Sequence, residues 1–193
     1  MNPTRIVALG DSLTAGHIGG TMWSPSYEPY TQILEQRLGP EVTIINHGVD
    51  GDLTSGMVVR YLRNVVPLEP DTVLLLGGTN DLGWGHTYEV ILSNLMKIVD
   101  HCQTAGTQIL VGSIPPIAGI PSATTKRLDF NPMLEEACQQ RNVPYVDLFA
   151  PLADEDNALR PEYSSDGLHL NQTGYAQMGE VFHEALLTHS SLK

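Results

Sequence analysis

A histidine and an aspartate lie three residues apart near the end of the chain, in the segment Asp166-Gly167-Leu168-His169. A carboxylate at this offset, across a glycine turn, can bond one ring nitrogen and so fix the tautomer of the imidazole. The same carboxylate raises the basicity of the ring, which suits the histidine to take a proton from a nucleophile. The alternative interpretation is a capping aspartate with an unrelated histidine beside it.

Ser12 is the candidate nucleophile, in the segment Gly10-Asp11-Ser12-Leu13-Thr14 that directly follows the first apolar run. A serine held at the end of a strand can attack a carbonyl carbon when a base removes its proton. Serine and aspartate after a strand also commonly cap the next helix, and on its own the tripeptide favours capping. Only the rest of the chain can separate the two interpretations.

Two further segments carry groups that can donate hydrogen bonds to a developing oxyanion. Gly48, in Asn46-His47-Gly48-Val49-Asp50-Gly51, offers a backbone N–H that no side chain shields, although glycine is also a turn residue. Asn80, in Gly77-Gly78-Thr79-Asn80-Asp81, offers a neutral amide, although asparagine also forms Asx turns. Covalent ester hydrolysis needs a nucleophile, a base, a group that orients the base, and such donors.

The periodicity of the chain indicates which elements hold these segments. Short runs that are nearly continuous in apolar residues predict strands covered on both faces, at 5–9, 42–46, 72–76, 108–112 and 143–148. Between them, apolar residues at i, i+3 and i+4 predict helices, at 30–38, 57–65, 88–102, 130–138 and 175–186. The alternation predicts an α/β fold, a flavodoxin-like three-layer α/β/α sandwich with a five-stranded parallel sheet. Such sheets bind ligands beyond the carboxyl ends of their strands.

The four segments resemble the motifs of the SGNH (GDSL) hydrolase superfamily, which occur here in the family's order at 10–14, 46–51, 78–81 and 166–169. Each motif alone is a weak signal, but four in order at the correct points of the α/β pattern form a strong one. The resemblance covers nearly the whole chain. We therefore expect one SGNH hydrolase domain over 1–193.

The resemblance implies a role for each candidate residue. Ser12 would be the nucleophile, His169 the general base and Asp166 the group that orients the base. The oxyanion hole would consist of the N–H groups of Ser12 and Gly48 and the side-chain amide of Asn80. The likeness implies a GDSL-type serine esterase that works through an acyl-enzyme, without a metal or an organic cofactor.

Three segments are expected to rim the cleft, namely 17–28, 83–87 and 113–122. Their candidate substrate contacts are Trp23, Trp84, His86, Ile114 and Ile117. The apolar character of these segments favours a short or medium acyl chain, in a lipase-, lysophospholipase- or thioesterase-like reaction. Two alternative interpretations stay open. In the first, the tryptophans stack on a sugar in a carbohydrate acetylesterase. In the second, the loops only pack over the sheet ends.

Other designs fit the sequence less well. His183 and His189 stand six residues apart, about 240° around a helix, so they do not form a zinc site. The α/β-hydrolase family also has the order Ser, Asp, His, but its G-x-S-x-G elbow is absent here. The remaining alternative is a flavodoxin-like binding domain without catalysis. Its ligand would need a phosphate-cradling glycine loop that opens a helix, whereas Gly77-Gly78 leads into Asn80 and Asp81.

Composition limits the partners of this 193-residue chain. Ten Lys and Arg against 22 Asp and Glu give a formal net charge of −12, which repels nucleic-acid phosphates and anionic lipid headgroups. No apolar run approaches the roughly 20 residues of a membrane helix, so we expect a small-molecule ester as partner and no stable membrane insertion. Since the first strand begins at Arg5, we expect a cytoplasmic protein or one whose leader has been removed.

Overall fold

A parallel sheet forms the centre of the computed structural model, which describes residues 3–21 and 24–189. Numbered along the chain, the strands are β1 (Thr4–Gly10), β2 (His17–Thr21), β3 (Ser24–Tyr27), β4 (Val42–Gly48), β5 (Thr72–Leu76), β6 (Gln108–Gly112) and β7 (Tyr145–Val146). The main sheet has the order β4-β1-β5-β6-β7, and every neighbouring pair in it is parallel. This arrangement confirms the predicted flavodoxin-like α/β fold.

The described residues form seven α-helices, of which the first six connect strands and the last follows β7: α1 (Ser12–Ala15), α2 (Tyr30–Leu38), α3 (Thr54–Arg60), α4 (Thr79–Trp84), α5 (Tyr88–Ala105), α6 (Pro121–Gln140) and α7 (Gln172–His189). The sequence does not predict α4, because it is only six residues long and contains Gly83. It also predicts α6 too short, because the first half of this helix carries few apolar residues. Within the described ranges, no helix is long and apolar enough to cross a membrane.

Two separate cores cover the two faces of the sheet. Alternate residues of each central strand point to opposite sides, so Val7 and Leu9 of β1 pack towards α3, α5 and α6. Ile6 and Ala8 of the same strand pack towards α2 and α7. All four side chains are fully buried. Because both faces are covered, the sheet is open to ligands only at the ends of its strands.

The order of the strands places a crevice at β1. From β1 the chain moves outward to β4, then crosses back to β5 on the other side of β1 and continues to β6 and β7. At such a reversal the loops leaving neighbouring strands diverge and leave a crevice beyond their carboxyl ends. The segments that begin at Ser12, Gly48 and Gly77 leave β1, β4 and β5 at this edge.

The antiparallel hairpin formed by β2 and β3 differs from the expectation of a loop over 17–28. Its strands contain Gly19, Gly20 and Pro25, residue types that are uncommon in strands and that obscure the alternating pattern. The pairing is also irregular between His17 and Gly19. These features explain why periodicity does not reveal the hairpin, which carries His17 and Tyr27 to the site.

Candidate active site

Ser12 opens the short helix α1 immediately after β1 ends. The helix is capped by Asp11, whose Oδ1 accepts a hydrogen bond of 2.9 Å from the backbone N–H of Leu13. Burial raises the pKa of Asp11 to about 7, although the bond from Leu13 acts in the opposite sense. The carboxyl group is fully buried, so the turn that presents the serine is fixed from inside the protein.

Three side chains form a continuous hydrogen-bonded path at the edge of the sheet. Ser12 Oγ lies 3.1 Å from His169 Nε2, and His169 Nδ1 lies 2.8 Å from Asp166 Oδ2. The structure therefore brings together the expected nucleophile, base and orienting carboxylate, across a sequence separation of 157 residues between the serine and the histidine. These distances are within the range over which a general base takes a proton from a nucleophile.

The loop that carries Asp166 and His169 is held by its own backbone. Asp166 Oδ1 accepts N–H hydrogen bonds from Leu168 at 2.9 Å and from His169 at 2.8 Å. Partial burial acts to raise the pKa of Asp166, but the bonds from His169 and from these two N–H groups outweigh it and leave the pKa lowered. Ser164 also donates to the His169 carbonyl at 2.6 Å, a contact that no sequence motif indicates.

Gly48 does not have the free donor that was expected of it. Its N–H donates to Asn46 Oδ1 at 2.8 Å, and a Cβ at this position would lie 2.0 Å from the backbone nitrogen of Ala15. The glycine is therefore explained by the close approach of β4 to α1. This corrects the prediction that Gly48 supplies an open oxyanion donor, since a glycine in a motif has two physical explanations and the sequence alone does not separate them.

Gly51 is the glycine of the same segment that sequence reasoning missed. Its φ of 74° lies in the left-handed region that favours glycine, and its N–H makes no hydrogen bond with any residue that the structure describes. The N–H of Ser12 is free of hydrogen bonds in the same sense. Asn80 Nδ2 donates to the carbonyl of Asp52, the residue that follows Gly51, at 2.9 Å. That bond uses one of the two hydrogens of the amide and holds Asn80 against the Gly51 loop.

Two further side chains fix this loop: Arg60, which lies outside the four motifs, and Asp81, the last residue of the motif at 78–81. Arg60 Nε donates to Asp52 Oδ2 at 2.8 Å, while Nη1 reaches the His47 carbonyl at 2.6 Å and Nη2 the Gly10 carbonyl at 2.8 Å. Asp81, whose side chain is buried, accepts from the Thr54 N–H at 2.9 Å and from its hydroxyl at 2.8 Å. Both contacts join residues distant in sequence, so no local pattern could reveal them.

A cavity of about 490 Å³ opens beside Asn80, between α4 and the start of α6. Two of the expected substrate contacts, Trp84 and Ile117, line it together with Leu168, which precedes His169. Trp84 is 77% exposed and stands at the rim. The cavity therefore adjoins both the amide donor and the histidine loop.

Three other expected substrate contacts have a different outcome. Ile114 is fully buried in the core on the α5 and α6 side, so it is not a substrate contact, and the prediction for it is corrected. His86 is not among the described residues that line the cavity, and its Nδ1 lies 3.3 Å from Asp81 Oδ1. Trp23 lies outside the described residues. The proline-rich stretch around Ile114 gave no period from which burial could be predicted.

A second histidine–carboxylate pair lies against the first. His17 Nδ1 is 3.1 Å from Asp50 Oδ2, which also accepts a hydrogen bond of 2.9 Å from the Tyr27 hydroxyl. The ring centroids of His17 and His169 are 4.6 Å apart. Sequence reasoning missed this pair, because its members are brought together only by the hairpin.

Comparison with known proteins identifies the family. The model of the GDSL-like lipase/acylhydrolase family matches residues 8–177. An arylesterase from Vibrio mimicus is 28% identical over 191 residues, which cover 96% of this chain and 89% of that protein.

Solved structures show the same fold. An aryl esterase from M. smegmatis superposes with a TM-score of 0.79 at 22% identity, covering 96% of this chain and 99% of that one. An acetylxylan esterase from Geobacillus stearothermophilus, solved as a catalytic mutant, gives a TM-score of 0.78 at 17% identity, with 96% of each chain covered. The family match over most of the chain confirms the resemblance seen in the motifs: this protein belongs to the GDSL-like lipase/acylhydrolase family and is a carboxylic ester hydrolase.

Proposed function

We propose that this protein is a serine esterase that cleaves small carboxylic esters through an acyl-enzyme on Ser12. The observation that carries the proposal is the path from Asp166 through His169 to Ser12, with distances of 2.8 and 3.1 Å. A capping role explains Asp11 well, but it does not explain why an imidazole approaches the hydroxyl of the next residue. The geometry therefore favours the nucleophile over the cap.

In the acylation step, Ser12 Oγ attacks the ester carbonyl carbon while its proton passes to His169 Nε2. Asp166 stays ionised, in line with its lowered pKa, and stabilises the imidazolium through Nδ1. The carbonyl oxygen becomes negatively charged and accepts hydrogen bonds from the Asn80 amide and from the N–H groups of Ser12 and Gly51. Gly51 replaces Gly48 in this scheme, because the Gly48 N–H already has a partner.

The tetrahedral intermediate then breaks its bond to the alcohol. His169 returns the proton to the leaving alkoxide, so that the alcohol departs and the acyl group remains on Ser12. A water molecule attacks the acyl carbon as His169 takes one of its protons. The Ser12 oxygen leaves with that proton, and the carboxylic acid is released.

The size and walls of the cavity beside Asn80 favour a substrate with a short or medium acyl group or an aryl group. Its volume of about 490 Å³ is in the range of small-molecule sites, and Leu82, Ile117 and Leu168 give it apolar walls. The Vibrio mimicus relative is named an arylesterase, which is in line with an aryl ester as substrate. We therefore place the preferred substrates at the small end of the ester series.

A carbohydrate acetylesterase is the second candidate function. The observation that favours it is the exposed Trp84 at the rim of the cavity, since an indole face can stack on a sugar ring. A fold neighbour is named an acetylxylan esterase. Turnover of acetyl esters alone, with acetylated xylose preferred to 4-nitrophenyl acetate, would select this candidate.

The test combines a substrate panel with a nucleophile variant. We expect Ser12→Ala to lower kcat on 4-nitrophenyl acetate by about 10⁴- to 10⁶-fold and to abolish labelling by a serine-directed phosphonate. Ser93→Ala, which alters an exposed serine on α5, is the matched control and should keep full activity and labelling. A Ser12→Ala protein with full activity would exclude the proposal. The panel runs from acetyl to palmitoyl esters and includes acetylated xylose.

A further inference from the structure

The cavity beside Asn80 contains two cationic side chains, Lys126 and Arg127, which are adjacent on α6. No carboxylate is among the described residues that line it. This is unusual in a chain whose 22 acidic residues outnumber its 10 lysines and arginines. The two cations therefore give the cavity a positive field that the composition of the protein does not predict.

Arg127 is only 2% exposed, yet it has no ion-pair partner within the described ranges. Its Nε donates to the Pro115 carbonyl at 2.8 Å and its Nη1 to the Ala123 carbonyl at 3.0 Å. Its Nη2 makes no hydrogen bond with any residue of 3–21 or 24–189. Two fixed bonds therefore hold the guanidinium in place and leave one of its nitrogens available.

The charge of this buried guanidinium is incompletely compensated. Burial lowers the pKa of Arg127 to about 10, and the negative charge of Asp11, which forms no salt bridge with Arg127, acts in the opposite sense. The group therefore remains charged at neutral pH. A buried charge without a hydrogen-bonded counter-ion is unfavourable, so an anion that enters the cavity gains more here than at the protein surface.

Lys126 adds a second available cation to the same cavity. Its Nζ donates to the Leu82 carbonyl at 2.9 Å, which uses one of its three hydrogens. It makes no salt bridge with a described carboxylate, and neither do Arg63 and Lys97, but those two residues do not line the cavity. A structural role for Arg127 explains its two carbonyl bonds, but not the meeting of two cations in one cavity whose described lining has no carboxylate.

We propose that this cavity binds an anionic group, a carboxylate or a phosphate, that is carried by the ester substrate. The inference rests on the proposed function. Because Asn80 lines the same cavity as the two cations, one small ester can reach both the amide donor and the anion site. The preferred substrates are then charged esters, with the apolar walls contacting the carbon skeleton between the ester and the anion. The anion belongs either to the acyl part or to the alcohol part.

Matched pairs of esters test the proposal and separate these two sources. On the alcohol side, 4-acetoxybenzoate is compared with its neutral methyl ester. On the acyl side, mono-4-nitrophenyl glutarate is compared with 4-nitrophenyl pentanoate. We expect kcat/KM to be roughly ten- to a hundredfold higher for the anion in one of the pairs, which is the range of a charge-assisted hydrogen bond. The preference should decrease as the salt concentration rises.

Variants connect the preference to the cavity. Lys126→Gln should lower the ratio of anionic to neutral kcat/KM by about tenfold, and Lys126→Glu should invert the preference. Arg63→Gln is the control, because it removes one exposed positive charge that does not line the cavity. A ratio near 1 in both pairs, with neutral esters hydrolysed and Ser12 labelled, overturns the inference and leaves the esterase proposal intact. A ratio that falls equally in Arg63→Gln also overturns it.

Discussion

Two histidine–aspartate pairs lie side by side in this protein and differ in one respect that matters for chemistry. The Nδ1 atoms of His169 and His17 are 2.8 and 3.1 Å from their carboxylates, and the two histidine side chains are 22% and 23% exposed. His169 Nε2 faces Ser12 Oγ, whereas His17 Nε2 has no hydrogen bond in the described part of the chain. Both histidines therefore have a carboxylate at Nδ1, and the group that faces Nε2 determines whether the imidazole can act as a base towards a nucleophile.

The two pairs are also held together in different ways. Asp166 and His169 belong to one loop, in which the carboxylate accepts hydrogen bonds from two N–H groups of that loop. Asp50 and His17 are 33 residues apart and meet only because the hairpin lies against the segment that follows β4. The first pair is a local unit, whereas the second depends on tertiary packing.

Removing the imidazoles one at a time gives the largest expected contrast. We expect His169→Ala to lower kcat by about 10⁴- to 10⁶-fold, because the Ser12 proton then has no acceptor. His17→Ala should lower it by less than about tenfold, through loss of the ring contact that supports His169. The measurement is kcat on 4-nitrophenyl acetate, with circular dichroism as a control for folding. Equal losses in the two variants would contradict the distinction.

Neutralising the two carboxylates gives the next contrast. Asp166→Asn should lower kcat roughly 10²- to 10⁴-fold, because an amide in place of the carboxylate disfavours the tautomer that leaves Nε2 free to accept a proton. Asp50→Asn has no such effect on His169, and we expect a change of a few-fold at most. Steady-state kinetics at pH 7 to 8 compares the two. A greater loss in Asp50→Asn than in Asp166→Asn would contradict the assignment of the orienting role to Asp166.

The smallest effect concerns stability. The pKa of Asp166 is lower in the folded protein than the value of 3.8 expected for the unfolded chain. The ionised carboxylate therefore adds to the free energy of unfolding above pH 3.8, and this contribution is lost as the pH falls through the pKa of the folded protein. The carboxylate is 52% exposed, and we expect less than about 1 kcal/mol. Melting temperatures of the wild type and Asp166→Asn should differ above pH 4 and converge below it. A difference that grows in acid would contradict this sign.

The parts of the fold and site that the sequence predicts are those encoded by neighbouring residues. The five main strands appear as apolar runs because both faces of the sheet are covered, and the offset between Asp166 and His169 is a local property of one loop. The contacts of Arg60 and Asp81 join distant segments and leave no period or spacing to detect. Gly48 was misread because close backbone packing and an open N–H select the same residue type.

The guanidinium of Arg60 has a further consequence for turnover. It is planar, and it links the ends of β1 and β4 to the Asp52 side chain through three partners at once. The loop that carries Gly51 is thereby held in the resting protein, so in the proposed scheme its donor is oriented before the ester arrives. In that scheme, preorganisation of this kind avoids the cost of reorienting the donor as the proposed bond to Ser12 forms.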